Sequence, residues 1–361
     1  MLAAATPVLA QPLVSPEVHP DGRVTFRLRA PDAKEVVLRC EGTKAGPMQK
    51  GEGGVWSLTT EPLEPDIYAY SFVVDGLKVI DPANPLLKYN LLNTDSQVHV
   101  PGPATLPWEI NDVPHGVVHR HLYRSAILGD DRPFLVYTPP SYDPAAKEPY
   151  AVLYLLHGFS DAEDAWVSVG RANIILDNLI AQGKAKPMLV VMPLGYGNKE
   201  VIKGGWASVR NTGVWQDSIQ KFREVLLQEI IPQVEKTYRV APDREARAIA
   251  GLSMGGTQSL FIGLNAPDRF VWIGAFSSGG LDANFEKAYP SMNETLNAQL
   301  RLLWIACGRQ DGLIGLNRKL VEWLKAKGVQ CTWTETPGGH SFTLWRRYLA
   351  DLAPLLFQGK P

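Results

Sequence analysis

A mostly parallel α/β sheet of eight strands, preceded by a small all-β domain, is the fold this sequence predicts. Three observations predict it. From His119 onward, apolar runs of strand length alternate with stretches of helical period. Before about residue 103, only short strand-like segments occur, separated by Gly/Pro turns. The length of 361 residues also exceeds one ordinary domain.

In chain order, residues 1–11 read as the remnant of an export signal, because Val8 and Ala10 suit the small-residue positions before a cleavage site; a plain terminus is the other reading. Residues 12–103 read as a β-sandwich. Its strands are Val24–Arg29, Glu35–Arg39, Val55–Thr59 and Ile67–Val74, with turns at Pro20-Asp21-Gly22, Ala30-Pro31-Asp32, Gly51 to Gly54 and Asp75-Gly76. Trp56, Tyr68 and Tyr70 are either its core or a platform for stacking on sugar. Residues 104–118 are a proline-rich linker, expected to lie against the second domain because Trp108 and Ile110 are costly to leave in water.

Residues 119–361 carry the α/β pattern. The predicted strands are His121–Leu128, Pro133–Thr138, Ala151–Leu156, Met188–Pro193, Ala246–Ala250, Val271–Phe276, Leu302–Cys307 and Val329–Glu335. Helices are expected over Ala172–Ala181, Trp215–Val234 (kinked near its end by Pro232), Thr257–Leu264, Leu313–Lys327 and Phe342–Leu356. Ala151–Leu156 is apolar throughout, as a strand buried on both faces requires.

Composition narrows the function. The chain is 45% hydrophobic and 20% charged with a formal net charge of −1, which argues against nucleic acid or an anionic membrane as the main partner. No apolar run approaches the roughly 20 residues of a membrane span. Cys40, Cys307 and Cys331 are too few and scattered for a disulfide framework or a zinc site. A single Cys307–Cys331 bridge and buried free thiols both remain open.

The chemistry is carried by Gly251-Leu252-Ser253-Met254-Gly255-Gly256. A serine between glycines at a strand-to-helix turn is a nucleophile elbow. A neutral hydroxyl needs a base to take its proton and an acid to hold that base. In the α/β-hydrolase arrangement they follow in chain order serine, acid, histidine. Ser253 follows the fifth predicted strand, Asp311 the seventh and His340 the eighth, so all three meet at the carboxyl edge of the sheet. Asp282, after the sixth strand, is the rival acid. Of the seven histidines, only His157 shares that edge with His340, and it lies in the loop that builds an oxyanion hole. The backbone N–H groups of Met254 and Phe159 are the expected oxyanion donors.

Tyr154-Leu155-Leu156-His157-Gly158-Phe159-Ser160-Asp161, Val191-Met192-Pro193-Leu194-Gly195, the elbow, and Gly338-Gly339-His340-Ser341-Phe342 with Trp345-Arg346 resemble the esterase D-like group. Within it, the likeness is to the feruloyl and acetylxylan esterases of carbohydrate esterase family 1; enterochelin esterases and mycolyl transferases are more distant. Phe26-Arg27-Leu28-Arg29-Ala30-Pro31 and Tyr68 to Gly76 with Asp81-Pro82-Ala83-Asn84-Pro85 resemble the immunoglobulin-like early-set domains related to family 48 carbohydrate-binding modules. The resemblance implies a serine esterase with no metal or cofactor and with Ser253, Asp311 and His340 as its triad. Where the family has Thr-Trp after the histidine, this chain has Ser341-Phe342.

The implied substrate is a polysaccharide or phenolic ester, with feruloyl or acetyl esters of xylan leading. A siderophore or other small ester is the alternative, and a non-catalytic glycan-binding protein a minor one. His157, Asp282 and the indoles of Trp166, Trp206, Trp215 and Trp345 are expected to line the site, the indoles by stacking on a sugar or phenolic ring.

Overall fold

In the computed structural model, residues 13–358 other than Asn211 are described, so the expected export-signal segment lies outside the described residues. The chain forms two compact units divided near Gly102, with residues 90–93 counted in the second.

The first unit is two antiparallel sheets. One runs in the order Glu17–Val18, Val24–Arg29, Val55–Thr59, Gln49–Lys50. The other runs Gly46–Pro47, Val36–Cys40, Asp66–Val74, Asp95–Val100, Leu87–Lys88, with Leu77–Val79 beside Asp66–Val74. Alternate residues of facing strands fill the core: Val24, Phe26, Leu28, Val36, Leu38, Tyr70 and Phe72 are all buried. Trp56, Tyr68 and Tyr70 belong to this core, which removes them as a sugar platform. Their polar tips are satisfied internally: Trp56 Nε1–H donates to Ala30 O, and the Tyr70 hydroxyl donates to Asp81.

The second unit holds an eight-stranded sheet: β1 (Val117–Arg124), β2 (Asp131–Thr138), β3 (Ala151–Leu156), β4 (Met188–Pro193), β5 (Arg247–Leu252), β6 (Trp272–Phe276), β7 (Leu302–Gly308) and β8 (Thr332–Thr336). The order is β1-β2-β4-β3-β5-β6-β7-β8. Only the β1–β2 and β2–β4 pairings are antiparallel. The rest are parallel, so the carboxyl ends of β3 to β8 open on one edge. Helices α1 (Ala172–Ala181), α2 (Thr212–Val225), α3 (Met254–Leu264), α4 (Ile314–Ala326) and α5 (Phe342–Leu352) cover the sheet, and a separate apolar cluster forms on each face.

The long helix departs from α geometry just before Pro232: it passes through a wide turn over Leu226–Ile230 and continues as Ile231–Thr237, with Pro232 in the first turn of that last segment. One expectation about the linker is revised. In the linker, Trp108 is buried and Asn178 on α1 donates to Pro107 O and Glu109 O. Ile110, expected to be covered, is 66% exposed.

Trp166 is the clearest correction. Expected on the catalytic rim, it is fully buried, edge-on to Phe276 and Phe342, with Nε1–H donating to Leu156 O at 2.9 Å. The short helix Ala165–Ser168 turns the indole under the sheet edge, where so large an apolar surface is most stable. Trp166→Ala is expected to cost about 3–5 kcal/mol in urea unfolding; a loss below about 1 kcal/mol would contradict a packing role.

Candidate active site

The site begins with a strained serine. Strand β5 is buried along its whole length and leads directly into Ser253, whose φ of 53° and ψ of −115° lie outside the regions ordinary residues favour. Three backbone bonds hold it: Ser253 N–H donates to Phe276 O, and Ser253 O accepts from Thr257 N–H and Gly279 N–H. The flanking glycines are required by space. A Cβ on Gly251 would lie 2.6 Å from the Gly255 backbone, and one on Gly255 would lie 2.5 Å from Leu156 O. Helix α3 starts at Met254, so its positive end faces the hydroxyl.

Asp311 and His340 arrive on loops that are stitched together. Arg309 N–H donates to Thr336 O, Gln310 N–H to Gly338 O, and Gly338 N–H to Gln310 Oε1. Gly308 permits the approach, since a Cβ there would sit 2.2 Å from Gly338 O. His340 Nδ1 lies 2.8 Å from Asp311 Oδ2, and His340 Nε2 lies 3.0 Å from Ser253 Oγ. Burial pushes the Asp311 carboxyl upward. Its hydrogen bond from His340, the charge of that ring and the Leu313 N–H outweigh burial, and the net shift is below the usual carboxylate value. An ionised Asp311 fixes the proton on Nδ1, which leaves Nε2 to accept from the serine.

The remaining expected residues fall into distinct places. Asp282, the rival acid, accepts from Gln216 Nε2 and Asn284 N–H and does not meet the imidazole. His157 is buried beneath the loop after β3, with Nδ1 2.7 Å from Gly158 O and Nε2 accepting from Gly195 N–H. It shapes the turn and touches no open surface. The N–H groups of Phe159 and Met254 take up no hydrogen bond among the described residues, as oxyanion donors require.

The indoles separate similarly. Trp345 is buried with its ring edge-on to His340 at 4.7 Å, walling the base in place and leaving no face for a sugar. Trp215 is buried between Phe159 and Gly280 O, which accepts its Nε1–H. Trp206 alone of the four is open, 62% exposed and edge-on to Phe159. Cys307 and Cys331 are unbridged, and burial with the nearby Asp311 charge pushes the Cys307 thiol up to about 12.

A cavity of about 500 Å³ opens beside α3, lined by Trp215, Gln216, Ile219, Phe261, Asp282 and Tyr289 among others. Gly280 and Thr257 bound it, and Thr257 Oγ1 donates to Gly279 O. A Cβ on Gly279 would lie 3.0 Å from Ser253 Oγ. Sequence reasoning missed Gln310, Gly279 and Gln216, because no motif marks them; their roles come from what folding sets beside them.

The family model Esterase matches residues 125–356. This chain belongs to the esterase family. It is 32% identical over 354 residues to an endo-1,4-beta-xylanase/feruloyl esterase of Xylanibacter ruminicola, covering 95% of this chain and 46% of the relative. The esterase chain thus spans about half the length of that relative. A solved ferulic acid esterase superposes with a TM-score of 0.57 at 28% identity, over 66% of this chain and 96% of its own. The enterobactin esterase of Shigella flexneri superposes with a TM-score of 0.68 at 20% identity, over 91% and 93% of the two chains. That last likeness is one of fold.

His157 gives this chain an acid-sensitive structural element. Burial lowers its pKa from 6.5 to about 4, partly opposed by its bond to Gly158. Between those values the unfolded chain takes a proton that the folded chain refuses. Stability therefore falls as pH drops through that window, by about 3 kcal/mol at most. Urea unfolding at pH 7, 5 and 4 is expected to show this slope reduced in His157→Gln; parallel profiles would refute it.

Proposed function

We propose that this chain is a serine carboxylic-ester hydrolase that releases ferulate, or acetate, from plant cell-wall (arabino)xylan. The observation that carries the reading is the hydrogen-bonded series from Ser253 through His340 to Asp311. In the proposed cycle Ser253 Oγ attacks the ester carbonyl while its proton passes to His340 Nε2. Asp311 stabilises the imidazolium, and the N–H groups of Phe159 and Met254 hold the oxyanion. Collapse expels the sugar alcohol, which takes the proton from His340. Water, deprotonated by His340, then attacks the acyl-enzyme, releasing the acid and restoring Ser253.

An aromatic acyl group is supported by the apolar cavity beside α3, where the Gln216–Asp282 pair offers polar atoms suited to a phenolic hydroxyl. The likeness to a xylanase/feruloyl esterase and to a ferulic acid esterase supports it too. The first unit is read as a glycan-recognising module. Its early-set resemblance and the half-exposed Tyr89 support that reading. A secreted or periplasmic location fits a polymeric substrate, and no described helix is long and apolar enough to cross a membrane. Hydrolysis of a siderophore-type ester is the second reading, favoured by 26% identity over 144 residues to an iron(III) enterobactin esterase of Escherichia coli.

The deciding experiment sets methyl ferulate, acetylated xylan and a linear catecholate trilactone side by side. Fastest turnover of methyl ferulate is expected, and preference for the trilactone would move the assignment to the second reading. Ser253→Ala is expected to lower kcat by up to about 10⁶ with the fold intact. Chelators are expected to leave turnover unchanged, because this chemistry needs only the three side chains and two amides.

A further inference from the structure

The Phe159 N–H lies in a turn, residues 157–161, that is held from outside as well as by its own bonds. Ser160 adopts a φ of 70°, and the side chains of Ser160 and Asp161 are buried. A left-handed serine beside a buried carboxylate needs partners. Some come from the turn itself and from the loop after β4. The His157 ring spans Gly158 O and Gly195 N–H, and Gly158 O also accepts from Asp161 N–H. The Tyr196 hydroxyl donates to Asp161 O at 2.8 Å.

The others come from far earlier in the chain. Asn90 Nδ2 donates to Ser160 Oγ and to Asp161 Oδ1, each at 2.9 Å, and Leu91 N–H donates to Ser160 O at 2.8 Å. Asn90 Oδ1 meanwhile accepts from Leu92 N–H and Asn93 N–H, folding residues 90–93 into a tight turn of their own. This four-residue turn sits between two strands of the first unit in sequence, yet it is part of the second unit.

We propose that Asn90 is a positioning residue for the oxyanion hole. Its amide fixes Ser160 and Asp161, and through them aims the Phe159 N–H at the carbonyl oxygen of the substrate. The peptide that carries the Phe159 N–H is held through Gly158 O by the His157 ring and by Asp161 N–H, so its direction follows the position of Asp161. With the Asn90 amide removed, Ser160 Oγ and Asp161 Oδ1 lose a shared hold and that N–H is less firmly directed, while the triad is untouched. The effect is then on the transition state, where charge reaches the oxygen, and not on ester binding. This inference rests on the ester-hydrolase reading above.

The test uses the full chain, with 4-nitrophenyl acetate and methyl ferulate as soluble substrates. Active sites are titrated with an aryl phosphonate, so that rates are counted per competent serine. Asn90→Ala is expected to lower kcat about 10- to 100-fold with KM within about threefold of wild type. Asn90→Asp keeps the acceptor for Leu92 and Asn93 but loses the donor, so a similar fall in kcat is expected. Three results would overturn the assignment: kcat per active site within twofold of wild type in Asn90→Ala, wild-type kcat in Asn90→Asp, or a loss carried wholly by KM or by the fraction of folded protein. Wild type that turns over neither ester overturns the hydrolase reading and this inference with it; turnover by wild type with unaffected Asn90 variants overturns this inference alone.

Discussion

Ser253 is held in a backbone conformation it would not choose, and the surrounding architecture is arranged to keep it there. Its amide is tied to the end of β6, its carbonyl to the start of α3 and to Gly279. Its neighbours at Gly251 and Gly255 have no room for a side chain. Such strain costs of the order of 1–3 kcal/mol, and it persists only where packing leaves no alternative. The fully buried strand and the close seat of α3 on β3 supply that packing. What the strain achieves is exposure: the hydroxyl projects from the turn toward the imidazole, instead of bonding to its own backbone.

The Asp311–His340 pair depends on a second constraint, the joining of two loops. Asp311 is buried and ionised, which is tolerable only because it accepts from both His340 and Leu313 N–H. The Gln310–Gly338 and Arg309–Thr336 bonds hold the two loops at a spacing that makes the pair possible. Trp345 closes the outer side of the ring. The His340 ring is thus oriented by Asp311, by loop geometry and by an aromatic wall together. The turn carrying Phe159 follows the same logic, with residues 90–93 as one of its supports.

Much of this was legible in the sequence. The strand–Gly-x-Ser-x-Gly–helix signature is a statement about local sterics, so it could be read directly. The boundaries of β3, β4 and α1 were also legible, because a strand buried on both faces and a helix with one apolar face leave periodic traces. The choice of Asp311 over Asp282 was legible only through strand counting. The tryptophans were not. Trp166, Trp206, Trp215 and Trp345 are alike in sequence, yet one is core, one is exposed, one borders a cavity and one backs the histidine. Trp56, Tyr68 and Tyr70 raise the same difficulty in the first unit. An aromatic ring is stable both in a core and on a binding face, so its identity does not reveal its place.

By itself, the sequence determined the strand–Gly-x-Ser-x-Gly–helix turn, the chain order of Ser253, Asp311 and His340, and the alternation that builds a mostly parallel sheet. These follow from interactions among residues a few positions apart, or from apolar period alone. Only the tertiary structure decided which side chains stand beside the triad: the Gln310 clamp, the Gln216–Asp282 pair and the Asn90 amide against Ser160 and Asp161. Each joins segments far apart along the chain through one or two hydrogen bonds. Such bonds depend on angle and sub-ångström distance, which composition and periodicity do not encode.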